Sequence, residues 1–210
     1  MSARRAAHAA LAGLSLALGG WQVATGGWIE AKAWLAQRLL EHAWAESRAG
    51  AGPVKPWPWA DTWPVARLTI PAHGVDLIVL AGGSGRTLAF APGHVDGSPL
   101  PGRPGTSLIG GHRDTHFRVL ARLAPGTEIV VEDAAGARHR FRVRSAEVVD
   151  ARTTRIAAAG TSPGLALVTC YPFDALVPGG PLRWLVLADL ASPAEASPGH
   201  SPGIAKAGSG

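Results

Sequence analysis

Between residues 65 and 190 the chain is cut into short apolar or alternating runs by turns rich in glycine and proline, and that punctuation limits what it can fold into. The runs VARLTI, VDLIVL, TLAF, TSLIG, TEIVVE, RHRFRVRSAEVV, LALVT and RWLVLADL predict about eight strands. Asp133 to Ala137, DAAGA, has the small residues and the glycine of a hairpin turn. Many short strands with few intervening helices must hide their edges, and closing the sheet on itself does so. The expected fold is mainly β, a closed eight-stranded barrel with short helices. One such helix is predicted from His116 to Leu123, capped by Asp114 or Thr115.

The 210 residues, 47% hydrophobic and 17% charged, suffice for one full core, so one domain over residues 65–190 with appendages is expected. A net charge of +5 and a pI near 10.3 raise the question of nucleic acid. Residues 65–190, however, hold thirteen Arg against ten Asp and Glu, an excess of only three. Arg138, Arg140, Arg142 and Arg144 alternate with His139, Phe141 and Val143, which puts all four arginines on one strand face. Such a row is a solvated face, or a surface for anionic headgroups or an acidic partner. With no aromatic residues interleaved and no nucleic-acid motif, nucleic acid is not an expected partner.

Chemistry concentrates at three strand ends. Cys170, the only cysteine, closes LALVTC ahead of a Tyr-Pro turn. It forms no intramolecular disulfide, so it is either a small buried hydrophobe or a reactive thiol. Fifty-eight residues earlier TSLIG runs into GHRDTHF, which carries His112, and Arg183 follows Cys170 by thirteen residues. A thiol of reference pKa about 8.5 is only a few per cent ionised at neutral pH and needs an imidazole or a cation beside it. His112 and Arg183 can supply both, and a guanidinium also suits the negative charge that develops on a carbonyl oxygen during acyl transfer.

These residues resemble a known family, the sortases, which are cysteine transpeptidases of bacterial cell surfaces. The resemblance is carried in order by APGH (Ala91–His94), PGRPGTSLIGGHRDTHFRVLARLAPGTEI (Pro101–Ile129), LALVTCYPFD (Leu165–Asp174) and PLRWLV (Pro181–Val186). It implies a sortase-type barrel in which His112, Cys170 and Arg183 are the catalytic residues and Thr169, His94 and Tyr171 contact substrate. Cys170 would attack a carbonyl within a C-terminal, LPxTG-like sorting signal of a target protein, His112 would move protons, and Arg183 would hold the oxyanion before transfer to an amine acceptor. No cofactor and no metal are implied. The Trp-rich approach PWPWADTWPVARL is most similar to the Gram-negative branch. Gly110 replaces a frequent Ala before Gly-His, and Ala166-Leu167 a more usual Thr-Leu. His94 lines the groove or caps its turn, and Asp114 orients an imidazole or caps the helix. His112 and His116 lie four apart but lack the Glu of a zinc-binding H-E-x-x-H helix.

The first 64 residues differ in kind. Ala6 to Ile29 is 24 residues without a formal charge, and some twenty helical residues, rising about 1.5 Å each, cross a hydrocarbon core of about 30 Å. Residues 1–29 are therefore expected to be a membrane anchor, with a cleavable signal peptide ending near Leu16–Gly20 as the competitor. Residues 30–64 would be a juxtamembrane helix and a linker stiffened by Pro53, Pro56 and Pro58. Seven of the eight tryptophans precede residue 64 and sit at a membrane–water boundary or pack on the catalytic domain. Arg4 and Arg5 before the run, with Glu30 and Glu41 beyond it, favour an inside N-terminus, hence a single pass of the inner membrane with the catalytic domain in the periplasm. Residues 191–210 are expected to be disordered. Two other readings stay open: a cysteine hydrolase on the same barrel, and a membrane-tethered binding module with Cys170 as inert core.

Overall fold

The structure, a computed structural model, describes residues 2–175 and 179–191. The tail beyond 191 thus lies outside the described residues. Alternation drives the strands: in β1 (Pro64–Ile70) every second residue is buried, ending in Leu68 and Ile70. The others are β2 (Val75–Ala81), β3 (Gly93–His94), β4 (Gly105–Gly110), β5 (Glu128–Asp133), β6 (Arg138–Asp150), β7 (Pro163–Cys170) and β8 (Leu182–Leu190). They close a barrel in the order β1-β2-β3-β4-β7-β8-β6-β5, with β5 returning to β1. The pairs β2–β3 and β4–β7 are parallel and the remaining pairs antiparallel. Leu68, Ile109, Phe117, Ile129, Phe141 and Leu167 fill the interior, all fully buried.

The eight-stranded closure matches the expectation, but one member differs. TLAF is not a strand. Ser84 caps a four-residue helix there, α2 (Gly85–Leu88), its hydroxyl accepting from the Thr87 N–H at 3.3 Å. The missing strand is the two-residue β3. The helix expected over 116–123 is shorter, a 3-10 segment at Arg118–Arg122 with no side-chain cap. Neither proposed cap is free to serve, because Asp114 is held by Arg113 and the Thr115 hydroxyl pairs with His116. The Asp133–Ala137 turn forms as expected, with Gly136 at φ 89° and the Ala137 N–H on the Asp133 carboxylate. The four arginines of β6 form a solvated ladder: Arg138 pairs with Glu132, Arg140 with Glu128 and Arg144 with Asp189, while Arg142 donates to the Gly126 carbonyl.

The N-terminal segment is one long helix (Ser2–Glu46), unbroken between 29 and 30. Its C-terminal turns dock on the outside of β2: Leu40 and Trp44 are buried against Ile78, Leu80 and Ala91. Full burial of a side chain such as Leu40 contributes about 1.5–3 kcal/mol. The Gln37 amide donates to the Phe90 carbonyl at 2.8 Å, and beyond the helix Arg48 pairs with Glu132. The tryptophans divide: Trp44 is buried and Trp57 meets Phe90 edge-on at 4.9 Å, whereas Trp21, Trp28, Trp34 and Trp59 are exposed. Among the described residues no helix is long and apolar enough to cross a membrane. The spanning helix expected from length and absence of charge is therefore not shown. Alanine favours the helix, and alanine and glycine together leave the segment uncharged without making it strongly apolar.

Candidate active site

Pairing of β4 with β7 builds the site. Every residue of β4 sits opposite one fifty-eight places later, from Gly105–Pro163 to Gly110–Val168. Continued for two residues, the same offset brings His112 beside Cys170. Two hydrogen bonds carry the register past the strand end: the Gly111 N–H donates to the Val168 carbonyl at 3.1 Å, and the Thr169 hydroxyl donates to the Gly111 carbonyl at 2.7 Å. Gly111 has no room for a side chain, since a Cβ there would lie 2.7 Å from the buried Phe117 ring. The Phe117 N–H then closes the following turn on the His112 carbonyl at 3.0 Å. On the other side of β7, Arg183 is the antiparallel partner of Cys170, which puts both side chains on one face.

His112 and Cys170 line a single cavity of about 110 Å³, together with Arg113, Asp114, Tyr171 and Pro172. His112 is exposed and Cys170 half-buried, so the thiol is accessible rather than part of the core. Arg183 does not line that cavity; its Nη1 donates to the carbonyls of Gly180, ahead of β8, at 2.6 Å and of Leu182, the first residue of β8, at 2.8 Å. Tyr171 does line it. Its ring stacks on Trp184 at 5.9 Å and meets Phe173 edge-on, while the Trp184 indole N–H is fixed on the Leu120 carbonyl.

Two residues expected at the substrate groove are placed elsewhere. Thr169 points to the opposite face from Cys170, is buried, and commits its hydroxyl proton to Gly111, so it is a structural tie. His94 is buried within its own turn, its Nε2 3.0 Å from the Pro99 carbonyl oxygen and 3.1 Å from the Ser98 hydroxyl. Of its two readings, the turn is the one realised.

Arg113 went unassigned from the sequence. It is only 7% exposed and makes four hydrogen bonds: two to the Asp114 carboxylate, one to the Pro172 carbonyl and one to the Ala175 carbonyl. The Asp114 carboxylate raises the Arg113 pKa, and Arg113 in turn holds the Asp114 carboxyl below the usual carboxylate range. Burial, with the His112 charge nearby, lowers the pKa of His116, against which a Phe90 backbone hydrogen bond acts.

A family model described as the sortase domain matches residues 68–191, more than half of the chain. The chain belongs to the sortase family. Among relatives of this sortase, Sortase D of Bacillus subtilis (strain 168) is 29% identical over 120 residues, which are 57% of this chain and 60% of that protein. The match thus spans less than two thirds of the relative's length. A sortase D5 transpeptidase of Clostridium perfringens shares the fold with a TM-score of 0.60 at 20% identity, over 75% of this chain and 99% of that one. Sortase A from Corynebacterium diphtheriae does so with a TM-score of 0.57 at 22% identity, over 75% and 84% of the two chains. These likenesses establish the sortase barrel, and the matched residues include His112, Cys170 and Arg183.

Proposed function

We propose that this sortase is a cysteine transpeptidase that cleaves a C-terminal, LPxTG-like sorting signal and passes the acyl group to an amine. The observation that carries the reading is the constant β4–β7 offset, which brings an exposed imidazole and an accessible thiol into one cavity. The Cys170 thiolate attacks the scissile carbonyl, forming a C–S bond and an oxyanion. His112 gives its proton to the leaving amine as the C–N bond breaks, leaving a thioester. An incoming amine then loses a proton to His112 and displaces the thiolate, restoring the enzyme. Arg183, opposite Cys170 in the ladder, is the cation for the oxyanion; to reach it the guanidinium exchanges the Gly180 and Leu182 carbonyls for the substrate oxygen. Tyr171 is the aromatic side of the substrate groove. No cofactor takes part in these steps.

Product analysis tests the reading. With a sorting peptide and a saturating small amine, the expected main product is the amine adduct, formed faster than free acid in the absence of amine, and Cys170→Ala should form neither. Free acid as the dominant product with every amine, the native acceptor included, would make the protein a hydrolase. Turnover by Cys170→Ala would remove the nucleophile altogether.

The long N-terminal helix supports a further part of the proposal, attachment at the inner membrane in a single pass with the catalytic domain in the periplasm. Leu11, Leu14, Leu16, Leu18, Trp21 and Trp28 are exposed along it, within a run free of formal charge. The Trp-rich linker is the feature that favours the Gram-negative branch of the family.

A further inference from the structure

Two parts of the site must be held relative to one another: the turn that begins at His112 and the residues 171–175 that follow Cys170. Neither is held by the barrel ladder, because β4 ends at Gly110 and β7 at Cys170. One side chain spans them. Arg113, adjacent to His112, sends its Nη1 to the Pro172 carbonyl at 2.6 Å and its Nη2 to the Ala175 carbonyl at 2.9 Å. Asp114 grips the same guanidinium from behind, Nε to Oδ1 at 2.7 Å and Nη2 to Oδ2 at 3.0 Å. That fork geometry fixes the plane of the group, and a lysine ammonium has no equivalent of it.

We propose that Arg113 is a positioning residue whose guanidinium, held by Asp114, braces the post-Cys170 segment against the His112 turn and so sets the imidazole–thiol geometry. The inference rests on His112 and Cys170 being the reactive pair. Three features support it beyond the bonds themselves. Arg113 is buried, which is rare for an arginine unless it is partnered. It lines the same cavity as both reactive groups. Negative charge on Cys170 acts on the guanidinium in the same direction as Asp114, which places the two close enough to interact. Arg183, by contrast, is satisfied at Gly180 and at Leu182, the first residue of β8, and makes no such bond to residues 171–175.

The test reads Cys170 directly and needs no peptide substrate. The rate of alkylation by iodoacetamide is followed against pH for the full chain and for Arg113→Ala, His112→Ala and the double variant, with thermal melts as a check on folding. Arg113→Ala should displace the alkylation midpoint by about half a pH unit or more, as expected when a thiol's charged or hydrogen-bonded partner is loosened. In the His112→Ala background the same change should displace the midpoint by clearly less, the remainder being the direct effect of the guanidinium charge on the thiol, because a brace acts through the geometry it sets. Arg113→Lys and Asp114→Asn should displace the midpoint less, and they carry the test if Arg113→Ala fails to fold. An unchanged profile in Arg113→Ala, full rescue by lysine, or a shift that adds completely to that of His112→Ala overturns the brace while leaving the reactive pair intact. A wild-type profile identical to that of His112→Ala overturns the pair, and the brace falls with it.

Discussion

Thr169 donates its hydroxyl proton to the Gly111 carbonyl at 2.7 Å, and this single buried contact joins the residue before Cys170 to the residue before His112. Removing the hydroxyl while keeping the shape leaves the carbonyl without that donor. Thr169→Val should cost about 1–3 kcal/mol in chemical denaturation and lower the acylation rate, whereas Thr169→Ser should retain most of both. Wild-type stability in the valine variant would show that the tie carries no weight.

Arg183 should contribute to the transition state rather than to the fold. Its side chain rests on the Gly180 carbonyl, which water can satisfy in its absence, and on the Leu182 carbonyl, which keeps the Tyr171 N–H as a donor. Arg183→Ala is expected to lower kcat by roughly a hundredfold or more with little change in Tm, and Arg183→Lys to recover only part of the loss. Steady-state kinetics on a sorting peptide give the answer; full activity with lysine would argue against the oxyanion role.

Acid should weaken the fold through His116. Burial lowers its pKa in the native state, so below the usual imidazole value of about 6.5 the unfolded chain takes up a proton that the native chain resists. Stability is complete above that value and falls as the pH drops toward the lowered native pKa. His116→Gln should flatten the decline, measured as ΔG of urea unfolding between about pH 7 and pH 5. An identical slope in both proteins would place the acid sensitivity elsewhere.

Membrane attachment through an apolar helix and attachment through surface charge respond differently to salt, since ions screen exposed charges over about 10 Å at 0.1 M. The chain should stay with membranes through a high-salt wash and be released by detergent. Release by salt alone, or a mature N-terminus near Gly20, would leave the helix as a surface contact or a removed leader.

The strand pattern was legible because alternation and turns are local properties: β1, β5 and the Asp133–Ala137 hairpin follow from neighbours in the chain. Cys170 was legible for a different reason, as the chain's one cysteine at the end of an apolar run, and His112, one of eight histidines, by its place just beyond another such run. TLAF misled because four apolar-rich residues carry too little periodicity to separate a strand from a helical turn, and only Ser84, outside the run, decides between them. Thr169 and His94 misled because a side chain's commitment depends on a partner the sequence does not show, here Gly111 and the Ser98–Pro99 turn. Arg113 was overlooked on the general expectation that charge is exposed. Its burial depends on carbonyls fifty-nine and sixty-two residues away.

Between β4 and β7 the chain leaves, builds β5 and β6 and returns, yet His112 and Cys170 are matched by the ladder and not by the length of that excursion. A change in the length of a loop within residues 112–162 that lies away from the site would therefore leave His112 beside Cys170. A slip of one residue inside either strand has no such latitude, because it would turn a reactive side chain to the opposite face of the sheet.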